Sequence, residues 1–461
     1  MKAAFLKALR ALLPADGVLH APEDCAPYGT DWTGTPGAPG AVVLPRSVSE
    51  ISSILKLCSK HKVPVVPSGG RTGLAGGAVA GRKELVLSLG RLDTLGKPSA
   101  LSRTVRVGAG AITQNVHQHC ENAGMIWPID LASKGSCQIG GNLSTNAGGL
   151  RVIRYGMARK WVTSLSVVKM DGHVLELNAE LEKNNTGYDL LQLIVGSEGT
   201  LGVIAEATLK LTPIPKEKGK TVFLFALKDL KGLPYLFEKC REAPFEILAF
   251  EFFSQECLNA VGTQLKRSSR LAKMGAYYVL TEVLVDGSAD QWMESILASP
   301  HIVDAMLAES SEDRKAVWGL REGITESLAR TARLRKHDLS VPIHSVADFL
   351  KDVQDAVRKP KRAIDIYLFG HFGDGSPHVN LLAPPGVKDA VFDRDCDLFE
   401  PTLFSILQKY HGSISSEHGI GLLKKKWLSY SRSKTEIEIF KSIKAALDPK
   451  GLLNPGKVFD T

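Results

Sequence analysis

The chain has 461 residues and only seven cysteines, with no CxxC pair and no regular spacing among them. That excludes a disulfide framework and a four-thiolate zinc site, and it points to a reducing compartment. Long apolar runs are missing too: no segment reaches the ~18 uninterrupted apolar residues that a membrane-spanning helix needs. Near the start, Phe5, Leu6, Leu9, Leu12 and Leu13 could share one side of a helix, but Lys7 and Arg10 interrupt what a signal peptide would need as its apolar core. The expectation is an amphipathic helix docked on its own domain, in a cytoplasmic protein that at most touches the inner membrane peripherally. The formal net charge is +8, yet basic residues are scattered apart from short clusters at Lys216, Lys218 and Lys220 and at Lys424–Lys426. A basic stripe with interleaved aromatics is absent, which excludes nucleic acid as a partner and leaves a surface mildly favourable to anionic substrates. There is no internal repeat and no low-complexity tract. An apolar fraction of 44% suits two or three soluble globular domains.

What is present is glycine in two dense runs. Between Ile129 and Gly149, Gly135, Gly140, Gly141, Gly148 and Gly149 remove side chains and permit positive φ, so backbone amides can approach a ligand closely. Ser133, Ser136, Asn142, Ser144, Thr145 and Asn146 add uncharged hydrogen-bonding groups. The other cradle, first in chain order, is Pro67 to Gly77, which follows the apolar run Val63–Val66 as a strand opening into a phosphate-binding turn would. Two cradles on one domain imply a dinucleotide. Gly108 and Gly110 form only part of a nucleotide-binding fingerprint, since Thr113 stands where its third glycine would be.

Ser47 with Glu50 reads as a capping box opening a helix that ends before Pro64. Strands are expected at Val63–Val66, Glu84–Leu89 and Thr104–Gly110, and a helix at Thr113–Ala123. Asp171-Gly172 between Val162–Met170 and Val174–Leu177 signals a hairpin. A short helix within Tyr188–Val195, a turn at Gly196–Gly199 and a strand at Leu201–Leu211 follow. Thr212–Pro215 breaks structure, and the charged, exposed stretch Lys216–Lys220 marks the domain boundary. The second half reads as antiparallel α+β, with strands Thr221–Leu227, Ile247–Phe253, Ala276–Val285, Ile364–Phe369 and Val379–Leu382. Long helices are expected at Asp313–Arg333 and Val346–Arg358.

His371 and His378 bracket a glycine-rich turn, and Glu417 and His418 lie in a glycine-flanked loop. Two imidazoles and a carboxylate make a three-ligand metal site with open positions; each histidine taken alone is equally a satisfied core or turn residue. Arg321 and Thr325, one helical turn apart, could grip a carboxylate together or simply face solvent. Lys336 follows just before a strand starting at Leu339.

The chain resembles the FAD-dependent D-2-hydroxy-acid dehydrogenases of the vanillyl-alcohol-oxidase type, most closely the D-2-hydroxyglutarate dehydrogenases. The resemblance runs from about Val42 to Gly456 and is carried by Pro128–Asn142, Thr145–Arg151, Asn185–Leu190, Gly196–Gly202, Trp318–Thr325, Gly370–Gly375, Glu417–Gly419 and Leu447–Gly451. It implies an α+β chain: a two-subdomain PCMH-type FAD-binding domain over residues 1–215, and an antiparallel α+β substrate or cap domain over 216–461 whose last ~30 residues return to the first. It implies FAD bound by Pro67, Ser68, Gly69, Gly70, Arg71, Thr72 and Gly73 and by Ser133, Gly135, Ser136, Gly140, Gly141, Asn142, Thr145, Asn146 and Gly148. Glu198, Gly199, Gly202, Val203 and Asn454 complete that set. The family's covalent flavin linkage uses a histidine in or near the first cradle; none is there, so the FAD is expected to be non-covalent. A divalent metal, zinc, is implied on His371, His378 and Glu417, with Arg321, Thr325, Lys336, Asn380 and His418 around the substrate. Similar proteins carry Asn-Leu where this chain has Ser376-Pro377, and proline fixes φ and removes an amide beside His378.

The expected activity is oxidation of D-2-hydroxyglutarate or a close D-2-hydroxy acid to the 2-oxo acid, with His418 as general base. The alternatives are a D-lactate or glycolate dehydrogenase, and a flavin electron-transfer subunit without a substrate site. The electron acceptor is left open between an electron-transfer flavoprotein and a quinone, and a homodimer is also left open.

Overall fold

The computed structural model describes residues 1–215, 219–243, 245–285, 290–358 and 362–460. The chain forms two compact units: Met1–Gly149 with Tyr155–Ile214 and Glu417–Thr461, and Leu150–Arg154 with Pro215–Ser416.

The first unit holds two four-stranded sheets. In one, strands Ala41–Val43, Leu85–Ser88 and Val65–Ser68 run parallel, with Val18–Leu19 antiparallel at the edge. These strands are buried almost throughout, as parallel strands covered on both faces must be. Helix Val48–His61 opens where Ser47 accepts from the Glu50 amide, while the Glu50 carboxylate reaches back to the Arg46 amide rather than closing a box on Ser47. It ends on left-handed Lys62, with the Val63 amide bonded back to Cys58. That stop uses up Val63 and Pro64, so the strand expected from Val63 begins at Val65 and runs into the first cradle.

The second sheet is antiparallel, ordered Thr104–Gly108, Val203–Lys210, Val162–Val168, Val174–Leu177. Its Asp171-Gly172 hairpin forms, with Gly172 at φ 82. Thr212–Pro213, expected to break structure, pairs with Met125–Ile126 instead. The amphipathic start is helix Ala3–Leu12, with Phe5, Leu6 and Leu9 buried and Phe5 edge-on to His61. All seven cysteines are buried and unpaired.

The second unit is built on a seven-stranded antiparallel sheet, ordered Ile302–Ala308, Lys220–Leu227, Tyr277–Val285, Phe245–Ser254, Asp365–His371, Ser376–Leu382, Leu334–Asp338. Leu150–Arg154 belongs here through ion pairs of Arg151 with Glu282 and Arg154 with Glu246. Lys216–Lys218, within the stretch expected to be charged and exposed, lies outside the described residues, and Lys220 opens a strand. The single helix expected over Asp313–Arg333 is two, Ser311–Glu322 and Ile324–Thr331, divided at Gly323. Glycine is a poor helix former, and here a Cβ would meet the Leu265 side chain at 2.7 Å. Lys336 lies inside strand Leu334–Asp338, not before one starting at Leu339. Its run Arg335, Lys336, His337, Asp338 has no apolar alternation to betray a strand.

Pro377 sits within strand Ser376–Leu382, opposite Gly370. The missing side chain at Gly370, φ +152, makes the room: a Cβ there would lie 3.0 Å from the Pro377 Cα. Pro377 keeps its carbonyl in use as acceptor for the Leu339 amide.

Candidate functional site

Two regions gather the sequence-selected residues, one in each unit. In the first unit an open cleft is walled by both glycine cradles. Pro67, Ser68, Gly69, Gly70, Arg71, Thr72 and Gly73 line one side, and Gly140, Gly141, Asn142 and Thr145 another. Glu198, Gly199, Gly202 and Val203 complete it, and His418 lies on the same wall. Ala75, Gly77 and Ser144, all within the cradles read from the sequence, line it as well, and so does Gln138. The cradles touch: a Cβ on Gly70 would overlap the Ser136 carbonyl oxygen. Arg71 holds φ +55, unusual for a non-glycine residue, with its guanidinium 4.7 Å from the Tyr28 ring centre.

Ser133, Gly135, Ser136, Asn146, Gly148 and Asn454 are not on that wall. Ser133, Gly135 and Ser136 belong to the turn whose Ser136 and Cys137 amides bond the Ser133 carbonyl. The Asn146 side chain accepts from the Arg159 amide at 2.9 Å, so its oxygen is spent on the fold. Asn454 braces the site from behind, its Nδ2 donating to the Gly77 and Glu198 carbonyls at 3.2 and 2.7 Å.

A dinucleotide fits this wall in chemical terms. Ser68 Oγ and Gln138 Oε1, both on lining residues, are buried without a hydrogen-bond partner among the described residues, as is Asn454 Oδ1. Buried polar atoms in native proteins are otherwise almost always satisfied.

Glu198 organises the loop that carries His418. Its carboxylate accepts from the Ile420 and Gly421 amides at 2.7 and 2.8 Å, and a Cβ on Gly419, φ +76, would lie 2.8 Å from its Cδ. Burial raises its pKa, against the lowering effect of the two amides.

The second region is one face of the seven-stranded sheet. Antiparallel partners directly opposite each other share a face, as do alternate residues along a strand. Register therefore aligns Glu251 with His371 and His371 with Ser376. The next row is Phe369, His378, Asp338, and the row after it Tyr367, Asn380, Lys336. The His371 and His378 rings stand nearly perpendicular with centroids 5.2 Å apart. His371 Nδ1 lies 2.7 Å from Glu251 Oε1, and His378 Nδ1 3.7 Å from Asp338 Oδ1. His378 is thus two residues into its strand rather than at the end of a tight turn. Burial pushes the nearby Asp374 carboxyl up to about 6.

Arg321, at the end of helix Ser311–Glu322, reaches the same face. It is 5% exposed, its guanidinium is 4.7 Å from the Phe369 ring centre, and its Nη2 is 2.8 Å from Glu251 Oε2. The pair is an ion pair by distance without an aligned hydrogen bond at Oε2, and Arg321 Nε has no hydrogen-bond partner among the described residues. Thr325, expected to share a helical face with Arg321, lies beyond the Gly323 break and is exposed. Lys336 is half-buried, and burial lowers its pKa. Asn380 is 2% exposed, with Nδ2 3.5 Å from the Tyr367 carbonyl.

Ser416, the last residue of this unit, donates its amide to Asp338 Oδ2 at 3.2 Å and its hydroxyl to Ser376 Oγ at 2.6 Å. Glu417 and His418 follow in the chain, at the start of the first unit's last segment. Among the described residues no group of three His, Cys, Asp or Glu side chains is placed to hold a metal. His371 alone has a carboxylate within hydrogen-bond distance of Nδ1, as metal-ligating imidazoles do, since 3.7 Å between His378 Nδ1 and Asp338 Oδ1 is too long for a hydrogen bond. Glu251 and Tyr367 were missed in the sequence; Glu251 sits in an aromatic strand 120 residues from the histidine it holds.

A unit with a glycine-walled cleft suited to a dinucleotide and an antiparallel α+β unit with a charged sheet face make this a two-domain protein of the nucleotide-binding class. Residues 39–178 match the FAD binding domain family, and residues 216–458 match FAD linked oxidases, C-terminal domain. D-2-hydroxyglutarate dehydrogenase of Xanthomonas citri pv. viticola is 43% identical over 463 aligned residues, covering 98% of this chain and 96% of that protein. The Stutzerimonas stutzeri protein of the same name is 38% identical, covering 99% of each. The chain belongs to the FAD-linked oxidases, in the D-2-hydroxyglutarate dehydrogenase family. The fold is that of p-cresol methylhydroxylase, whose substrate-bound structure superposes with a TM-score of 0.76 at 15% identity over 99% of this chain and 96% of that one.

Proposed function

We propose that the chain oxidises D-2-hydroxyglutarate to the 2-oxo acid. The observation that carries this reading is the pair of cationic rows on one sheet face. The first has Arg321 over Phe369 beside His378, buried and with Nε unpartnered. The second, two residues along, has Lys336 opposite Asn380. Two residues of antiparallel strand span about 7 Å, while four carbon–carbon bonds of ~1.5 Å, bent, separate the carboxyl carbons of a five-carbon diacid by about 5 Å. One carboxylate meets Arg321, with Thr325 near its helix, and the other meets Lys336 and Asn380. A lactate methyl group would bring no carboxylate to the second row, and a site built to hydrogen-bond a substrate group discriminates against an analogue that lacks it.

His418 takes the hydroxyl proton on an unprotonated ring nitrogen, its loop held in place by Glu198. FAD, held non-covalently in the cleft, supplies the hydride acceptor. His371, His378 and Glu417 would hold a divalent ion, zinc, whose charge acidifies the substrate hydroxyl. The electron acceptor is an electron-transfer flavoprotein or a quinone. We place the protein in the cytoplasm, at most peripheral to the inner membrane; no helix among the described residues is long and apolar enough to cross one.

The test is anaerobic reduction of the bound flavin, with kcat/KM compared for D-2-hydroxyglutarate, D-malate and D-lactate. Preference for the diacids is expected, and preference for D-lactate turns the reading toward a D-lactate or glycolate dehydrogenase. A flavin that none of them bleaches leaves an electron-transfer subunit. Chelation should stop oxidation while the flavin spectrum stays.

A further inference from the structure

A second cavity opens on the first unit. It shares no lining residue with the glycine-walled cleft, although the two adjoin in the chain: Gly77 and Ala78 line the cleft, Val79 and Ala80 the cavity. Backbone hydrogen bonds tie its walls together. The Ala38 amide donates to the Ala80 carbonyl at 2.8 Å, and the Val458 amide to the Gly421 carbonyl at 2.9 Å, next to Leu422. Most of the lining is apolar, as at Pro36, Val79, Leu422 and Pro455.

Lys457 lies on this lining and is only 3% exposed. Lysines ordinarily cover the stem and leave the ammonium in water. The nearby Lys425 is engaged, its Nζ donating to the Gly456 carbonyl and to Asp460 Oδ1. Among the described residues the Lys457 ammonium makes no hydrogen bond and no ion pair. Burial lowers its pKa, and the charge of Glu84 opposes that from beyond contact. Glu84 Oε2 accepts from the Gly81 amide instead. A buried charge is costly unless it is paired, so an anion entering the cavity would gain the attraction of a cation already stripped of water.

We propose that this cavity binds a small monocarboxylate, with its carboxylate on Lys457 and its apolar body against Val79, Leu422 and Pro455. Charge sets the class. Lys457 and Arg82 are two cations on the lining against one carboxylate, Glu84, which leaves a single positive charge. That balance suits a monoanion better than a phosphate dianion, and apolar walls with few polar groups suit an organic body better than a bare ion.

The test titrates FAD-loaded, full-length protein with butyrate, followed by ligand-observed NMR, with n-butanol as the uncharged analogue and inorganic phosphate as competitor. Butyrate should bind saturably, at least about tenfold more tightly than n-butanol, the scale of one hydrogen bond to a charged group. Equimolar phosphate should not displace it. No saturable binding, equal binding of the alcohol, or displacement by phosphate overturns the proposal.

Lys457→Met keeps the length and removes the charge, and it should weaken butyrate about tenfold or more with flavin content unchanged. Ala38→Trp, at an exposed position of the rim, leaves Lys457 in place and should block the cavity, so the site can be judged even where Lys457→Met fails to fold. Butyrate binding that survives either change overturns the proposal. Binding lost in Arg321→Ala but kept in Lys457→Met would belong to the sheet face of the other unit and overturns it too.

Discussion

Glu198 and Glu251 show how differently the two regions are made. Glu198 gives both oxygens to backbone amides, and burial raises its pKa. Glu251 is more deeply enclosed, and burial pushes it up as well, but the charges of His371 and Arg321 outweigh that and hold it below the usual carboxylate range. The cleft of the first unit is thus a site of backbone and small side chains, with one carboxylate tying down a loop. The sheet face of the second is a network of charges that neutralise one another. A backbone site is broken by adding atoms, and a charge network by removing one member.

The largest effect should come from the network. Arg321→Ala leaves Glu251 buried with His371 alone, and breaking a buried pair by removing one partner costs about 3–5 kcal/mol of stability. Loss of a buried charged contact to ligand costs about 2–5 kcal/mol of binding, so kcat/KM for D-2-hydroxyglutarate and for D-lactate should both fall by roughly thirtyfold or more. Lysine should not rescue it, because a point charge cannot reproduce the planar stack on Phe369. Steady-state kinetics with an artificial acceptor check this, and a loss under tenfold would remove Arg321 from the receptor.

Next is the opposite operation on the cleft. Gly70→Ala drives a methyl group into the Ser136 carbonyl and pries the cradles apart. Overpacking of about 1–3 kcal/mol should weaken FAD retention by roughly tenfold to a hundredfold, read from the flavin-to-protein absorbance ratio. Full flavin content in this variant would show that the cradles tolerate separation and that the cleft is not a backbone site.

A smaller effect divides the face itself. Asn380→Ala should lower kcat/KM for D-2-hydroxyglutarate by about tenfold, the scale of one hydrogen bond to a charge, and leave D-lactate almost untouched. Partial burial holds the pKa of the neighbouring Lys336 below the ordinary value of 10.5. Its ammonium is lost as pH rises through that lowered value, so KM for the diacid should climb on the alkaline side earlier than an ordinary lysine would dictate. The D-lactate profile should lack this limb.

The comparison also explains what could be read in the chain beforehand. The cleft was legible because a backbone site writes itself in consecutive residues: Pro67 to Gly73 all reach its wall. The helix Val346–Arg358 and the Asp171-Gly172 hairpin were legible for the same reason, local pattern fixing local shape. The sheet face is written across strands. Glu251 looks like an interruption in an aromatic strand until the antiparallel register sets it opposite His371. Lys336 looks like a helix exit until the ladder pairs it with Asn380. The Gly323 break separates Arg321 from Thr325, which helical spacing alone put on one face.

The smallest effect concerns Glu198, and its sign tests the contrast with Glu251 directly. The folded pKa of Glu198 lies above the ordinary value of 4.5. Below 4.5 the group is protonated whether the chain is folded or not. Between 4.5 and the raised value the folded protein holds a proton that the unfolded chain has released, so stability falls as pH rises through that window and then levels off. Glu251 is shifted the other way, adding stability above 4.5 that is lost only as pH drops through its lowered value. Glu198→Gln keeps one acceptor for the Ile420 and Gly421 amides and turns an NH2 group toward the other, a loss of about 1–3 kcal/mol. The gap between wild type and variant, from urea melts across acid to neutral pH, should therefore be widest on the acid side and narrow as pH rises, because wild type alone bears the cost of charging a buried carboxylate. A gap that widens with pH would mean that the two amides hold Glu198 ionised more strongly than burial opposes it, and the two glutamates would then be of one kind.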